Sequence, residues 1–283
     1  MHSQTKPILT SPVQVRGILT SIGLKPSKVL GQNFLIDRNI LEIILNAAEL
    51  KPSDHVFEVG PGLGVLTAGL LEKAGKVTAI EKDIKLFSWL SERFAGVKNL
   101  ELVHGDALDP ALMPKRASKM VSNLPYSVAS RILVELSLSA GAPELMVVTV
   151  QREVAERLAA EQGTADYGLL SVLIRLEYDI TLVKKISPSC FWPSPDIFSQ
   201  VVKLVKHGRF LLSAEEKKIC VNTAKLAFTH RRKQFASVLE KKAGVGRKTV
   251  VALLESMGLS AEARAEELSP ANWYTLAKAL TSL

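Results

Sequence analysis

Short apolar runs alternate with helical segments through the first half of this 283-residue chain. Runs rich in apolar and β-branched residues predict strands at 55–60, 76–81, 100–105, 119–124 and 144–150. Helical periodicity lies between them, as at 66–74 and 84–94. Strands that alternate with helices at this spacing predict a parallel, doubly wound α/β sheet.

The pattern changes after residue 180. The β-rich runs 180–187 and 199–207 are separated only by the proline-bearing loop 188–196. Two strands joined by a loop alone predict a hairpin, and therefore an antiparallel edge on the sheet.

Beyond Gly208 only helical periodicity remains, and helices are predicted at 213–228, 231–243, 246–258 and 269–280. Ser213 with Glu216 fits a capping box, and Pro270 suits a first helical turn. We therefore expect an α/β domain at 1–208 and a small all-helical domain at 209–283.

The net charge of +8 is concentrated in one stretch of the chain. Residues 1–199 hold 21 basic and 21 acidic residues, whereas residues 200–250 hold 13 basic and 3 acidic residues. A stretch with a net charge of +10 is either a solvated helical face or a surface that binds phosphates.

Composition excludes several classes of protein. No apolar run approaches the roughly 18 residues of a membrane helix. Two cysteines, Cys190 and Cys220, cannot form a disulfide framework or a cysteine-rich zinc site. Residues 1–12 lack the apolar core of a secretory signal, although their low acid content and their Ser and Thr leave a short organelle-targeting segment open. We expect a cytoplasmic protein.

A glycine-rich loop follows the first predicted strand, with the sequence Glu58-Val-Gly60-Pro-Gly62-Leu-Gly64. Glycines permit a tight turn and the close approach of a ligand to the backbone. The spacing differs from the dinucleotide pattern G-x-G-x-x-G, and the loop lacks the Lys-Ser/Thr ending of a P-loop. A carboxylate at Glu58 would repel phosphate, which favours a ligand with a cationic or amine end, such as S-adenosylmethionine.

The next two strands also end in carboxylates. Glu81 lies 17 residues past Gly64 and can accept hydrogen bonds from both hydroxyls of a ribose. Asp106 can accept a hydrogen bond from an adenine amine, or it can cap the segment that follows. Parallel strands end at one edge of the sheet, so we expect these residues to meet there.

The most informative tetrapeptide is Asn123-Leu124-Pro125-Tyr126, after the fourth strand. The Asn123 side-chain oxygen and the Leu124 carbonyl can accept hydrogen bonds from an exocyclic amine. Such bonds hold the nitrogen lone pair toward a sulfonium methyl group. Tyr126 supplies a face for stacking on a purine. Considered as structure alone, the tetrapeptide is a turn fixed by proline.

Taken together, these motifs resemble those of the small-subunit ribosomal RNA adenine dimethyltransferases, over nearly the whole chain from about residue 30. The matching segments are 31–35 (GQNFL), 58–64, Glu81, Asp106, 123–126, 167–172 (YGLLSV), 191–195 (FWPSP), and Phe228 with 231–233. One departure is Asp196-Ile-Phe198-Ser199, where the family usually has lysine, valine and aspartate before the serine.

The resemblance implies a Rossmann-like class I methyltransferase sheet, S-adenosylmethionine as methyl donor, and no metal. It implies cofactor contacts by Gln32, Asn33, Leu35, Glu58, Gly60, Gly62, Gly64, Glu81, Asp106 and Asn123. It also implies catalytic roles for Asn123, Leu124, Pro125, Tyr126 and Phe191, with Phe191 stacked on the target adenine. Arg231, Arg232 and Lys233 are expected to bind RNA.

The implied reaction dimethylates the amines of two adjacent adenosines in the 3′-terminal hairpin loop of 16S ribosomal RNA. We expect a monomer that acts on a 30S precursor particle during small-subunit biogenesis. Three alternatives stay open: a large-subunit dimethyltransferase of the antibiotic-resistance type, a non-catalytic RNA-binding assembly factor, and a DNA adenine methylase.

Overall fold

A computed structural model describes residues 9–27, 31–114 and 117–282. Most of segment 1–12, whose composition left organelle targeting open, lies outside these ranges. Within them, no helix combines the length and the apolar character needed to cross a membrane.

The strands predicted in the first half form the sheet as expected. Seven strands lie in the order β4-β3-β2-β5-β6-β9-β7. Their bounds are β2 His55–Val59, β3 Lys76–Glu81, β4 Leu100–His104, β5 Lys119–Asn123, β6 Leu145–Gln151, β7 Tyr178–Ile186 and β9 Ser199–Lys206. The first five are parallel, and β9 is antiparallel to β6. The predicted α/β sheet with an antiparallel edge is therefore confirmed.

Buried apolar residues show that the central parallel strands are covered on both faces. Val56 and Phe57 of β2 are fully buried, as are Val147 and Val148 of β6. Consecutive buried residues point to opposite faces of a strand, so helices must cover both sides of the sheet.

The helices that precede the basic stretch are α1 Pro12–Ser21, α2 Arg38–Ala47, α3 Val65–Lys73, α4 Ile84–Arg93, α5 Ala129–Leu138, α6 Arg152–Ala159 and α7 Leu169–Arg175. Asp37 and Asp83 cap α2 and α4 by accepting hydrogen bonds from backbone N–H groups of the first turn.

The order of the strands reverses between β2 and β5. From β2 the chain continues to β3 and β4 on one side, and then returns to place β5 on the other side. A crevice opens at such a point beyond the carboxyl ends of the strands, which is where open α/β sheets bind their ligands.

The structure also contains a separate two-stranded ribbon, which the sequence did not predict. Its strands are β1 Phe34–Leu35 and β8 Phe191–Trp192, which are antiparallel with Leu35 opposite Phe191. The ribbon joins the segment before α2 to the loop between β7 and β9.

The chain forms two compact units. The first comprises residues up to Ala155 together with Ile180–Lys206, and the second comprises Glu156–Asp179 together with the chain from His207 onward. The chain passes from the first unit to the second for the last time between Lys206 and His207, close to the division predicted at residue 208. The prediction placed 156–179 in the α/β domain, whereas the structure places this segment in the second unit.

The reason is a hydrophobic contact that local patterning does not show. Tyr167, Val172 and Leu176 are buried in the core of the helical unit. The hydroxyl of Tyr167 donates a hydrogen bond to the carbonyl of Leu268 at 2.7 Å. Helix α7 has seven residues, too few for its periodicity to indicate its partner.

The remaining helices of the second unit are α8 Ala214–Thr229, α9 Phe235–Ala243, α10 Arg247–Ser256 and α11 Pro270–Thr281. The Ser213–Glu216 capping box and the position of Pro270 at the start of α11 are as predicted. Helix α9 begins at Phe235 rather than at Arg231, because residues 231–233 form a turn.

We predict that Tyr167→Phe lowers the free energy of unfolding of the helical unit by about 1–3 kcal/mol, because the buried carbonyl of Leu268 loses its donor. Urea denaturation measures the loss. The control is Tyr274→Phe, since the Tyr274 hydroxyl has no hydrogen-bond partner among the described residues. Equal effects of the two changes would contradict the assignment of 156–179 to this unit.

Candidate active site

A cavity of about 270 Å³ lies at the carboxyl ends of β2, β3, β4 and β5. It brings together most of the residues that the sequence predicted to bind a cofactor. Its lining includes Gln32, Asn33, Leu35, Glu58, Gly60, Gly62, Glu81, Asp106, Asn123 and Pro125. Of the residues predicted to be catalytic or to bind the cofactor, four do not line it: Gly64, Leu124, Tyr126 and Phe191.

Two glycines of the loop after β2 have different tasks. Gly62 has a φ of 61°, and its N–H donates to Glu81 Oε2 at 3.1 Å. A Cβ on Gly64 would lie 2.6 Å from the ring of Phe94, and its φ of 77° is in the left-handed region. Gly64 therefore serves close packing at the start of α3, whereas Gly62 presents backbone to the cavity.

Glu58 is buried below this loop, with 1% of its surface exposed. Burial, with a smaller contribution from the nearby Glu81, raises its pKa to about 8, although the hydroxyl of Thr67 donates to Glu58 Oε2 at 2.7 Å and opposes the rise. At neutral pH the carboxyl is therefore largely protonated. The predicted repulsion of phosphate by a charged Glu58 does not hold in this state, but a cationic ligand nearby would favour ionisation.

Glu81 is fixed at the end of β3 by two backbone donors. Its Oε1 accepts from Asp83 N at 2.9 Å, and its Oε2 accepts from Gly62 N. Burial raises the pKa of Glu81, and these hydrogen bonds oppose the rise. Each carboxylate oxygen has two lone pairs, so both can still accept a hydroxyl of a ligand.

Asp106 caps the segment that follows it, which is one of the two roles that the sequence allowed, and its contact with an adenine amine stays a prediction. Its Oδ1 accepts a hydrogen bond from Leu108 N at 2.9 Å and stabilises the turn after β4. Its Oδ2 pairs with Lys82 Nζ at 2.7 Å, and this hydrogen bond lowers the pKa of Asp106. Sequence reasoning missed Lys82, because the partners lie on different strand ends.

Asn123 carries the most specific polar feature of the cavity. Its Nδ2 donates to the backbone carbonyl of Asn33 at 3.1 Å. Its Oδ1 is buried and has no hydrogen-bond partner among the described residues. Because a carbonyl can only accept, the bond to Asn33 fixes the amide with its nitrogen toward Asn33, and its oxygen is left without a donor among the described residues. A buried acceptor without a donor costs about 1–3 kcal/mol, which a suitable ligand would recover.

The entry segment 31–35 lies directly against the tetrapeptide that follows β5. Gly31 has a φ of 64°, and a Cβ there would lie 2.9 Å from the backbone nitrogen of Tyr126. Gln32 Nε2 donates to Asp83 Oδ2 at 3.3 Å. These interactions explain why Asn33 reaches Asn123, a role for its backbone that no side-chain motif indicates.

Leu124 and Tyr126 hold the tetrapeptide in place through hydrogen bonds to neighbouring strands. Leu124 is 1% exposed, and its N–H donates to the carbonyl of Thr149 at 3.1 Å. The hydroxyl of Tyr126 is 2.6 Å from that of Ser199, at the start of β9. Burial raises the pKa of Tyr126. Ser199 is a partner that sequence reasoning missed.

Phe191 differs from its prediction. We expected its ring to be held out of the loop, but it is 2% exposed and belongs to the apolar core with Leu35. The backbone explains this position, because Ile36 N donates to the carbonyl of Cys190 at 2.9 Å and draws the loop onto the sheet. Stacking of Phe191 on a target base stays a prediction without support from this position.

Arg231 also differs from its prediction. Its guanidinium donates to the carbonyls of Ala165 at 2.7 Å and Thr164 at 3.1 Å, and it pairs with Glu266. Arg231 therefore ties together parts of the helical unit. Arg232 and Lys233 are exposed and available to an anionic partner.

Titratable residues give no indication of a metal site. Within the described ranges, no group of three or more His, Cys, Asp or Glu side chains is arranged to hold a metal ion.

A comparison with models of protein families identifies the family of this chain. A family model described as "Ribosomal RNA adenine dimethylase" matches residues 23–282. The chain belongs to this family. The match spans both units, including the basic stretch 200–250.

Two curated relatives support this membership over more than nine-tenths of their length. The chain is 38% identical to the Ribosomal RNA small subunit methyltransferase A of Dehalococcoides mccartyi, with 93% of this chain and 91% of the relative covered. It is 36% identical to the protein of the same name from Streptomyces coelicolor, with 98% and 99% covered.

Solved structures agree with the family fold. A dimethyladenosine transferase from Plasmodium falciparum has a TM-score of 0.76 at 26% identity, over 88% of this chain and 98% of that chain. The 23S rRNA methyltransferase ErmE has a TM-score of 0.66 at 30% identity, over 88% and 100%.

We predict that Glu58→Gln changes how stability depends on pH. Folding raises the pKa of Glu58 from 4.5 to about 8, so its stabilising proton is retained below 4.5 and lost as the pH rises through 8. The glutamine cannot ionise and still accepts from Thr67. The free energy of unfolding of the wild type should therefore fall relative to the variant across this range, as urea denaturation at several pH values would measure.

Glu101→Gln is the matched control, because hydrogen bonding by Lys76 lowers the pKa of Glu101. Its contribution is lost as the pH falls, so the trend should be opposite and weak at this exposed site. A difference between wild type and Glu58→Gln that stays constant with pH would contradict the assignment.

We predict that Phe191→Ala lowers the free energy of unfolding by about 3–5 kcal/mol, because the ring is in the core. Phe198→Ala is the control in the same loop, since its ring is 42% exposed, and we expect a change of about 0.5 kcal/mol or less. Chemical denaturation of both variants tests the contrast. If the two variants had nearly equal free energies of unfolding, the ring of Phe191 would be exposed and not part of the core.

Proposed function

We propose that this protein transfers methyl groups from S-adenosylmethionine to the exocyclic amine of adenine in small-subunit ribosomal RNA. The observation that carries the proposal is Asn123, which lines the cavity of a member of the rRNA adenine dimethylase family and whose buried Oδ1 has no hydrogen-bond partner among the described residues. This oxygen is an acceptor held ready for an N–H donor.

The residues that line the cavity fit this cofactor. Glu81 would accept the ribose hydroxyls, and Asp106 the amine of the adenine ring. Gln32, Asn33, Leu35, Glu58 and the loop glycines Gly60 and Gly62 would surround its methionine end. When bound, the cofactor supplies an electrophilic methyl group on a sulfonium, a reaction that needs positioning and desolvation more than acid–base catalysis.

Asn123 orients the target amine. Accepting one N–H at Oδ1 turns the nitrogen lone pair away from the amide and into the cavity. The hydrogen bond to Asn33 prevents the amide from rotating, so the oxygen is presented without reorganisation. An amine that already carries one methyl group keeps one N–H, so the same acceptor serves both transfers.

The target base must leave its stack to reach the cavity. Pro125 lines the cavity beside Asn123, and Tyr126 is anchored by Ser199. These residues support the backbone that carries Asn123. Water can take the proton after transfer, so the proposal assigns no general base.

The substrate is assigned to the small subunit because the curated relatives named for it match this chain over more than nine-tenths of their length. The finer parts of the proposal are two adjacent adenosines in the 3′-terminal hairpin loop, a 30S precursor particle as partner, and a monomer in the cytoplasm. The likeness to ErmE favours the large subunit as the second candidate.

Incubation with methyl-labelled cofactor distinguishes these candidates. Unmethylated 30S particles should incorporate label as dimethyladenosine, whereas 50S precursors should not. Label in the 50S precursors alone would favour the second candidate. No transfer to either particle would favour a non-catalytic assembly factor.

We predict that Asn123→Ala lowers kcat/KM for methyl transfer by about 100-fold or more, by analogy with the removal of a preorganised polar group at a reacting centre. The dissociation constant for S-adenosylmethionine, measured by calorimetry, should change by less than about threefold. Ser127→Ala, an exposed residue of the same lining, is the control. Activity of Asn123→Ala within a few-fold of wild type would remove Asn123 from the reaction.

We predict that Arg232→Ala with Lys233→Ala weakens RNA binding and flattens its log–log salt dependence by roughly 0.7–0.9 for each phosphate that the variant no longer neutralises. Arg231→Ala should instead lower stability, because it leaves Glu266 and two carbonyls without their partner. Binding isotherms at several salt concentrations, beside denaturant melts, separate the two. If the log–log salt dependence of RNA binding were unchanged in the double variant, residues 232 and 233 would not contact phosphates and would only be a solvated surface.

A further inference from the structure

An exposed aromatic side chain lies at the carboxyl edge of the sheet, the edge at which Asn123 ends β5. Phe198 directly precedes β9, and 42% of its surface is exposed. Its neighbour Ile197 is 40% exposed. Because β9 is antiparallel to β6, its first residues lie at the same carboxyl edge as Asn123.

A cation covers the ring of Phe198. Lys185 Nζ lies 4.1 Å from the ring centroid, in a cation–π contact. Lys184 is also exposed, but consecutive residues of a strand point to opposite faces, so only Lys185 is placed at the ring. Asp196 is the exposed acid of the preceding loop. An aromatic face next to an ammonium group is a combination with which proteins bind single-stranded nucleic acids.

The backbone around Phe198 is fixed to the site. The carbonyl of Phe198 accepts a hydrogen bond from Arg152 N at 3.0 Å. The next residue, Ser199, is fully buried and bonded through its hydroxyl to Tyr126. Strands β5 and β9 are separated by one strand, so the ends that carry Asn123 and Ser199 are about 10 Å apart.

We propose that Phe198 and Lys185 form a stacking platform for a base that flanks the target adenine in the RNA substrate. One face of the ring is held by Lys185, and a base stacks on the exposed part of the ring. Lys185 also attracts the adjoining phosphate. The inference rests on the proposed function, because it assumes an RNA strand that enters the cavity.

The test uses the full-length protein and two probes: unmethylated 30S particles for steady-state methylation, and a fluorescently labelled oligoadenylate for binding. Phe198→Ala should raise KM for the particles and the dissociation constant for the oligonucleotide by roughly 5- to 100-fold. The turnover number and the affinity for S-adenosylmethionine should stay within about twofold. Phe198→Tyr should retain wild-type values, whereas Phe198→Leu should not.

Lys185→Gln should weaken both interactions and reduce the salt slope of oligonucleotide binding by about 0.7. Leu182→Ala, an exposed apolar residue of the same edge strand, is the control and should leave every value unchanged.

Wild-type activity on 30S particles with no effect of Phe198→Ala would overturn the platform and leave the proposed function intact. Full rescue by Phe198→Leu would also overturn it, because apolar bulk and not a stacking face would then suffice. An effect of Phe198→Ala on self-association, with both RNA measurements unchanged, would overturn it in favour of a second copy of the chain. If wild type is inactive on 30S particles, the proposed function fails, and oligonucleotide binding still tests the platform.

Discussion

The hydrogen bond from Asn123 Nδ2 to the carbonyl of Asn33 is the interaction on which the site depends. It uses the donor half of the amide and leaves the acceptor half buried without a partner among the described residues. An acceptor in this state destabilises the folded protein, and a ligand that brings an N–H group binds more tightly because it removes this destabilisation. The rest of the fold can be understood as the means of keeping this arrangement in place.

Two parts of the chain must be brought together for that purpose. Asn123 ends a buried central strand, and its position follows from the sheet. Asn33 precedes the first sheet strand, and the ribbon of β1 and β8 holds it against the tetrapeptide. Gly31 allows the close approach, because a side chain there would meet the backbone of Tyr126.

Much of the first unit could be predicted from the sequence, because its strands are short runs rich in apolar and β-branched residues that alternate with helical segments. Glu58, Glu81 and Asp106 were predicted to meet because parallel strands end at one edge of the sheet, and they line one cavity together with Asn123. The tie between Asn33 and Asn123 could not be predicted, since it joins a backbone carbonyl to a side chain 90 residues away.

Failures of prediction had similar physical causes. Phe191 is hydrophobic and lies among prolines, which is compatible with an exposed loop or with a strand that closes the core, and the ribbon decides for the core. Arg231 belongs to a basic run, but its guanidinium is surrounded by carbonyls from a segment distant in sequence. Segment 156–179 joins the helical unit through Tyr167 and Val172, which local periodicity does not reveal.

The most direct test of the account is the position of an adenosine amine in a crystal structure of the protein with adenosine and a non-reactive analogue of S-adenosylmethionine. The account predicts that the exocyclic nitrogen lies within about 2.7–3.2 Å of Asn123 Oδ1, with the bond from Asn123 Nδ2 to Asn33 intact. An amine bound away from Asn123, or an amide turned to present Nδ2 to the base, would contradict it.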